Sequence, residues 1–196
     1  LATQSKIIDS LKSLSQAISQ VLLGEAHPSM ALGELCEIKK GEQINKEALS
    51  EQGQYYVMNG GVTPSGYYDR FNTEANTISI SEGGNSCGYV QYNDRPFWSG
   101  GHCYTLKNIS KVINHKYLFH YLKSIETGIM ALRIGSGLPN IQKKDLSAVR
   151  IPLPPLAVQE RIAHALDALL NKIELEETIS SVYKRQKTYL LNNLFI

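Results

Sequence analysis

Cysteine is scarce in this chain. Cys36, Cys87 and Cys103 are the three present, widely spaced and without a Cys-x-x-Cys pair. That gives no support to a disulfide framework or a zinc ribbon, and it fits a reducing cytoplasm. No apolar run is long enough to span a membrane, and no secretory signal is visible. Neither sign of charge dominates: 20 Lys and Arg face 18 Asp and Glu, a net charge of +2. A chain-wide basic clamp is therefore excluded, and any nucleic-acid contact has to come from a local patch. Glycine and proline are absent after Pro155, so nothing interrupts a helix there.

What is present falls into three segments. Residues 1–24 read as an amphipathic helix, with Ile7, Leu11, Leu14, Ile18 and Val21 spaced as a coiled-coil seam. Residues 30–154 read as a β-rich domain with helical pieces. Leu32 to Ile38, Tyr55 to Met58, Thr77 to Ser81, Gly88 to Tyr92 and His102 to Leu106 are strand candidates, separated by turns rich in Gly, Asn, Pro and Asp. Tyr117 to Lys123 reads as helix. Ile151-Pro152-Leu153-Pro154-Pro155 stiffens the backbone and ends sheet pairing. Residues 155–196 then form one long helix, about 60 Å if unbroken. Ile162, Leu166, Leu169 and Ile173 make one seam on it, and Tyr183, Leu190 and Leu194 continue it. Leu175, Ile179, Val182 and Tyr189 make a second. Two stripes on so long a rod require partner helices. The fold class expected is α+β: a compact β-rich domain with long flanking helices in an antiparallel coiled coil.

Little in the chain points to bond chemistry. Glu37 and Lys39 have nuclease-like local spacing, but the nearest upstream aspartate, Asp9, lies in another helix. There is no glycine-rich cofactor loop and no phosphate-binding lysine loop. His27, His102, His115, His120 and His164 lack paired metal spacing. The residues thus point to no catalytic group and no metal. Polar loops are more prominent: Asn59 to Tyr68, Glu82 to Ser86 and Trp98 to His102 offer amides, hydroxyls and close backbone approach. Such loops also serve as plain hairpin turns.

Three blocks carry a resemblance. They are Leu32-Gly33-Glu34-Leu35-Cys36-Glu37-Ile38-Lys39-Lys40-Gly41, then Asn59-Gly60-Gly61 with Pro64-Ser65-Gly66, then Gly137-Leu138-Pro139-Asn140-Ile141. The last block continues through Lys144, Leu146, Ile151 to Leu156, Gln159 and Ile162. In this order they resemble a target recognition domain from the specificity subunits of type I restriction-modification systems. The resemblance implies two recognition domains joined by two long antiparallel helices, each reading half of a split DNA site through the major groove. Adenine-methylating modification subunits and a restriction/translocase subunit would be the protein partners. S-adenosylmethionine, Mg and ATP would belong to those partners, with no cofactor on this chain. Only one recognition domain is present here. A homodimer would supply the second, or the chain is the C-terminal half of a longer subunit, which the missing initiator methionine favours.

For a double-stranded DNA partner, phosphate contacts fall to Lys39, Lys40, Lys46, Lys143 and Lys144. Base contacts fall to Asn59, Thr63, Ser65, Asn85, Ser86, Ser99 and His102, with Tyr67 and Arg70 nearby. Helix pairing falls to Ile7, Leu11, Leu14 and Ile18 on the first helix. On the last it falls to Ile162, Leu166, Leu169, Ile173, Ile179, Val182 and Leu190. Ser136 and Asn140 are assigned to the domain–helix joint rather than to DNA. The competing reading is a protein-interaction module that dimerises through its helices and has no DNA role.

Overall fold

In a computed structural model, which describes residues 2–23, 27–135, 137 and 139–194, two long helices bracket a run of short strands and helices. The order is α1 (Ala2–Leu23), β1 (Ser29–Ala31), α2 (Leu32–Leu35), β2 (Glu37–Lys40), β3 (Tyr55–Met58), β4 (Tyr67–Tyr68) and β5 (Thr77–Ser81). It continues with β6 (Val90–Asn93), β7 (Trp98–Ser99), β8 (Cys103–Lys107), α3 (His115–Ser124), α4 (Glu126–Ala131), α5 (Lys143–Ser147), β9 (Arg150–Pro152) and α6 (Leu156–Leu194).

The expected strand from Leu32 to Ile38 is split. Its first half is the one-turn helix α2, capped where the Glu34 carboxylate accepts the Ala31 N–H at 2.7 Å. Leu32 and Leu35 are both buried in the main core, because three residues apart on a helix they share a face. Only Glu37–Lys40 remains as strand, with Ile38 its inward residue.

Strands β2-β8-β5-β6 form an antiparallel sheet, and β4-β3-β7 a smaller mixed one in which β3 and β7 run parallel. Every residue of β5 is buried. Ile78 and Ile80 enter the main core with Leu106, Leu118 and Leu122. The polar residues of β5 are satisfied separately: the Asn93 amide donates to the Thr77 carbonyl and the Ser79 hydroxyl, both at 2.9 Å. Without such partners, burial of these groups would be strongly unfavourable.

The joint to the helices is built on β1 and β9, paired antiparallel from Ser29↔Pro152 to Ala31↔Arg150. Gln159, 1% exposed, locks it. Its Nε2 donates to the Pro154 and Val112 carbonyls at 2.8 and 3.2 Å, and its Oε1 accepts the Asn114 N–H at 2.7 Å. The Tyr117 hydroxyl donates to the Pro152 carbonyl at 3.1 Å. His120, also buried, meets Asp167 at 2.9 Å. Burial lowers the His120 pKa, and the Asp167 hydrogen bond opposes this only in part. Replacing Gln159 with Leu would strand two carbonyls and one N–H. We expect the domain to lose about 2–4 kcal/mol, measured by urea unfolding; a midpoint within error of wild type would refute the latch.

Helix α6 runs away from the domain and α1 runs back toward it, so the two pair antiparallel. Gln4 hydrogen-bonds Glu176, and Lys12 meets Glu177 at 2.6 Å. On α6, Ile162, Leu166 and Ile173 are buried, and Leu169 and Ile179 are half-buried. On α1 the packed line is Gln4, Ile8, Leu11, Ser15 and Ile18. The expected seam is therefore rotated. Leu11 and Ile18 lie on the packed line, while Ile7, Leu14 and Val21 are exposed. Val182, Tyr183, Tyr189 and Leu190 are also exposed, and so is every residue from 181 to 193.

Candidate nucleic-acid interface

The polar loops converge on one groove of about 630 Å³. Its walls come from the end of β2 (Lys40), the loop after β3 (Asn59, Gly60, Gly61, Ser65), the loop after β5 (Glu82 to Ser86), His102 before β8, and the segment Pro139-Asn140. Backbone bonds tie these walls together. Glu82 N–H donates to the His102 carbonyl at 2.9 Å, Ile141 N–H to the Glu82 carbonyl at 2.8 Å, and Gly84 N–H to the Pro139 carbonyl at 3.0 Å. The Ser81 hydroxyl donates to the Gly60 carbonyl at 2.7 Å. Gly60 has φ +84°, and a Cβ there would sit 3.0 Å from His102, so only glycine allows this approach.

Asn59 has one side committed. Its Oδ1 accepts the His102 N–H at 3.0 Å, which fixes the amide so that the NH₂ faces elsewhere. On the floor sits Glu82, whose side chain is 12% exposed. Lys40 Nζ reaches its Oε1 at 2.5 Å, and His102 Nδ1 lies 3.4 Å from its Oε2.

Six of the sequence-assigned DNA residues thus share the groove: Lys40, Asn59, Ser65, Asn85, Ser86 and His102. Lys46 lines an adjoining hollow of about 410 Å³ that shares Asn59 and Ser65. Lys39 and Thr63 are exposed nearby in sequence, on β2 and on the loop after β3. Tyr67 lines a different cleft, with Tyr55, Tyr56, Gln91 and Tyr92. Arg70 is exposed, 4.0 Å from Asp69. Lys143 lines a separate hollow with Gly33, Glu37 and Asn108, and Lys144 is exposed on the same short helix.

Two assignments need correction. Ser99 is 1% exposed and cannot meet a base. It belongs to β7, and its carbonyl accepts the Glu42 N–H at 2.8 Å and the Asn72 amide at 3.0 Å. Asn140 belongs to the groove, where it bridges Gly83, and not to the joint. Ser136 and Leu138 lie outside the described residues. The nuclease-like Glu37 instead accepts the Asn108 amide at 2.9 Å. Among the described residues, no three of His, Cys, Asp and Glu are grouped to hold a metal ion. No helix among the described residues is long and apolar enough to cross a membrane. Glu82 was invisible as a site residue because its role depends on Lys40 and His102, distant in sequence. Its one signal is that an acid directly follows a fully apolar-polar strand.

Fold and groove together define a recognition domain carried on paired helices. The family model of the type I restriction modification DNA specificity domain matches residues 28–184. The chain belongs to this family of specificity subunits. A type I specificity subunit of Mycoplasma pneumoniae is 39% identical over 166 residues, covering 84% of this chain and 44% of that protein. One from Mycoplasma genitalium is 34% identical over 163 residues, covering 82% and 42%. The crystal structure of a type I restriction-modification S subunit from M. genitalium superposes with a TM-score of 0.77 at 32% identity, over 87% of this chain and 46% of that one. The HsdS subunit of Thermoanaerobacter tengcongensis, at 21% identity and a TM-score of 0.67, shares the fold. This chain spans about half the length of these relatives.

Proposed function

We propose that this chain reads one half of a bipartite site on double-stranded DNA and directs adenine methylation and restriction to it. Its proposed partners are methyltransferase subunits, a restriction/translocase subunit, and a second recognition domain from a second copy or from the same polypeptide. S-adenosylmethionine, Mg and ATP serve those partner subunits, and this chain contributes no catalytic group. Work in the cytoplasm, where the DNA is, follows from this role.

The observation that carries the reading is the convergence of amide, hydroxyl, imidazole and ammonium groups from five separate segments on one groove. Base edges in the major groove are read by such groups, while exposed lysines at the rim hold phosphates and set register. Lys46, in the hollow that shares Asn59 and Ser65 with the groove, is the rim candidate, and Lys39, exposed on β2, is a second phosphate candidate. Phosphate binding releases counterions, so affinity falls linearly with salt on a logarithmic scale. Titration of duplex DNA between 50 and 200 mM salt (a range of roughly the usual width for such slopes) should show a steep slope for the assembled complex. Lys39→Ala and Lys46→Ala should each reduce it by about one. Methylation by the complex should also be confined to one sequence motif. Salt-independent binding, or methylation without sequence preference, would overturn the reading.

A further inference from the structure

Resting on that reading, we infer that Glu82 is a positioning residue that commits Lys40 and His102 to a G·C pair. The geometry is one carboxylate with two clients, Lys40 Nζ on Oε1 and His102 Nδ1 beside Oε2. A lysine held this way does not behave as a free phosphate contact, because its charge is already matched. Its ammonium has three N–H donors, and one is spent on Glu82. Two remain, directed by the tether.

The imidazole lies beside the same carboxylate at a longer distance, His102 Nδ1 being 3.4 Å from Glu82 Oε2. In the neutral ring with its proton on Nδ1, on the side of the carboxylate, the partner of Nδ1 decides what Nε2 presents. Nε2 is then an acceptor on the opposite ring edge. His102 is 60% exposed and lines the groove, so that edge is accessible. The loop supporting it is fixed independently, by Asn59 on the His102 N–H and by the Glu82 N–H on the His102 carbonyl.

The pair thus offers two adjacent donors followed by one acceptor. In the major groove, G·C presents N7 and O6 of guanine, both acceptors, followed by the N4 amino donor of cytosine. The two sets are complementary in kind: the ammonium can span N7 and O6, and Nε2 can accept from N4. In A·T the central group is the N6 amino donor, flanked by acceptors. It would face the ammonium and be rejected. Glu82 touches no base in this arrangement and acts through its two clients.

The test uses the specificity subunit assembled with its methyltransferase subunits, acting on a library of random duplex DNA. Sequencing of methylated products gives base preference at each motif position. Glu82→Gln keeps size and hydrogen bonding but removes the charge that fixes both clients. It should flatten one position, a G·C pair in the wild-type motif, by roughly tenfold or more. Other positions and the salt slope should be unchanged. Lys40→Met and His102→Gln, both at exposed side chains, should flatten that same position, and Lys40→Met should leave the salt slope intact. They decide the matter if Glu82→Gln unfolds. An A·T pair at the affected position, an unaltered profile, or a salt slope lowered by Lys40→Met overturns the inference. A wild-type complex with no base preference instead overturns the functional reading beneath it.

Discussion

Leu166→Ala should destabilise the protein by about 2–5 kcal/mol, among the largest effects of any single truncation. Leu166 is 1% exposed and lies in the core cluster that also holds Leu118, Leu122 and Ile162. This core is shared: it contains sheet residues from β5 and β8, helix α3 and the first turns of α6. A cavity there loosens the domain and its mount together. Chemical denaturation followed by tyrosine fluorescence and by helical circular dichroism should show both signals moving to lower denaturant in one transition. Separate transitions would show that α6 and the domain fold as independent units. A shift below about 1 kcal/mol would mean that the site collapses around the missing atoms.

Val182→Asp combined with Leu190→Asp should abolish self-association while leaving domain stability unchanged to within about 0.5 kcal/mol. Both side chains are more than two-fifths exposed, and they lie on the part of α6 where all residues from 181 to 193 face outward. That overhang is about 20 Å of helix. Its apolar residues have no counterpart among the described residues of α1, which meets α6 near Glu176 and Glu177. A second chain laid antiparallel would cover it, and would also set Lys184, Arg185 and Lys187 beside the acidic half of its partner helix. Sedimentation should find the wild-type chain dimeric and the double variant monomeric. A monomeric wild-type chain, or a variant that still dimerises, would sink this arrangement.

The sequence made regular elements legible and their meeting points illegible. Tyr55–Met58 and Thr77–Ser81 are strands with the expected limits, because β-branched and aromatic runs ended by Gly and Asn leave little choice. The α6 seam from Ile162 to Ile173 was readable from its spacing, and its buried face agrees. The face of α1 was not. Its apolar residues permit two neighbouring stripes, and the packed one includes Gln4 and Ser15. A polarity count cannot favour those, since Gln4 takes its place from Glu176 across the interface. Helix α2 hid inside an apparent alternation because Leu32 and Leu35 satisfy either period locally. Strand β7 has two residues and pairs parallel to β3, so burial of Ser99 came from a long-range pairing with no local mark. The groove is the extreme case. Its residues run from Lys40 to Asn140, a hundred positions apart, and only the chain path assembles them.

The β1–β9 ladder has a consequence for how such proteins change. Ser29 and Pro152 stand opposite one another, so everything between them leaves and returns through a single doorway. The helical frame on either side meets that excursion at α3 and at Val112 and Asn114 just before it, not at the groove loops. A different set of groove loops carried on the same edge strands, the same α3 and the same Gln159 latch could be exchanged into the frame as a cassette. Target choice could then turn over rapidly while the scaffold that assembles the machine stays as it is.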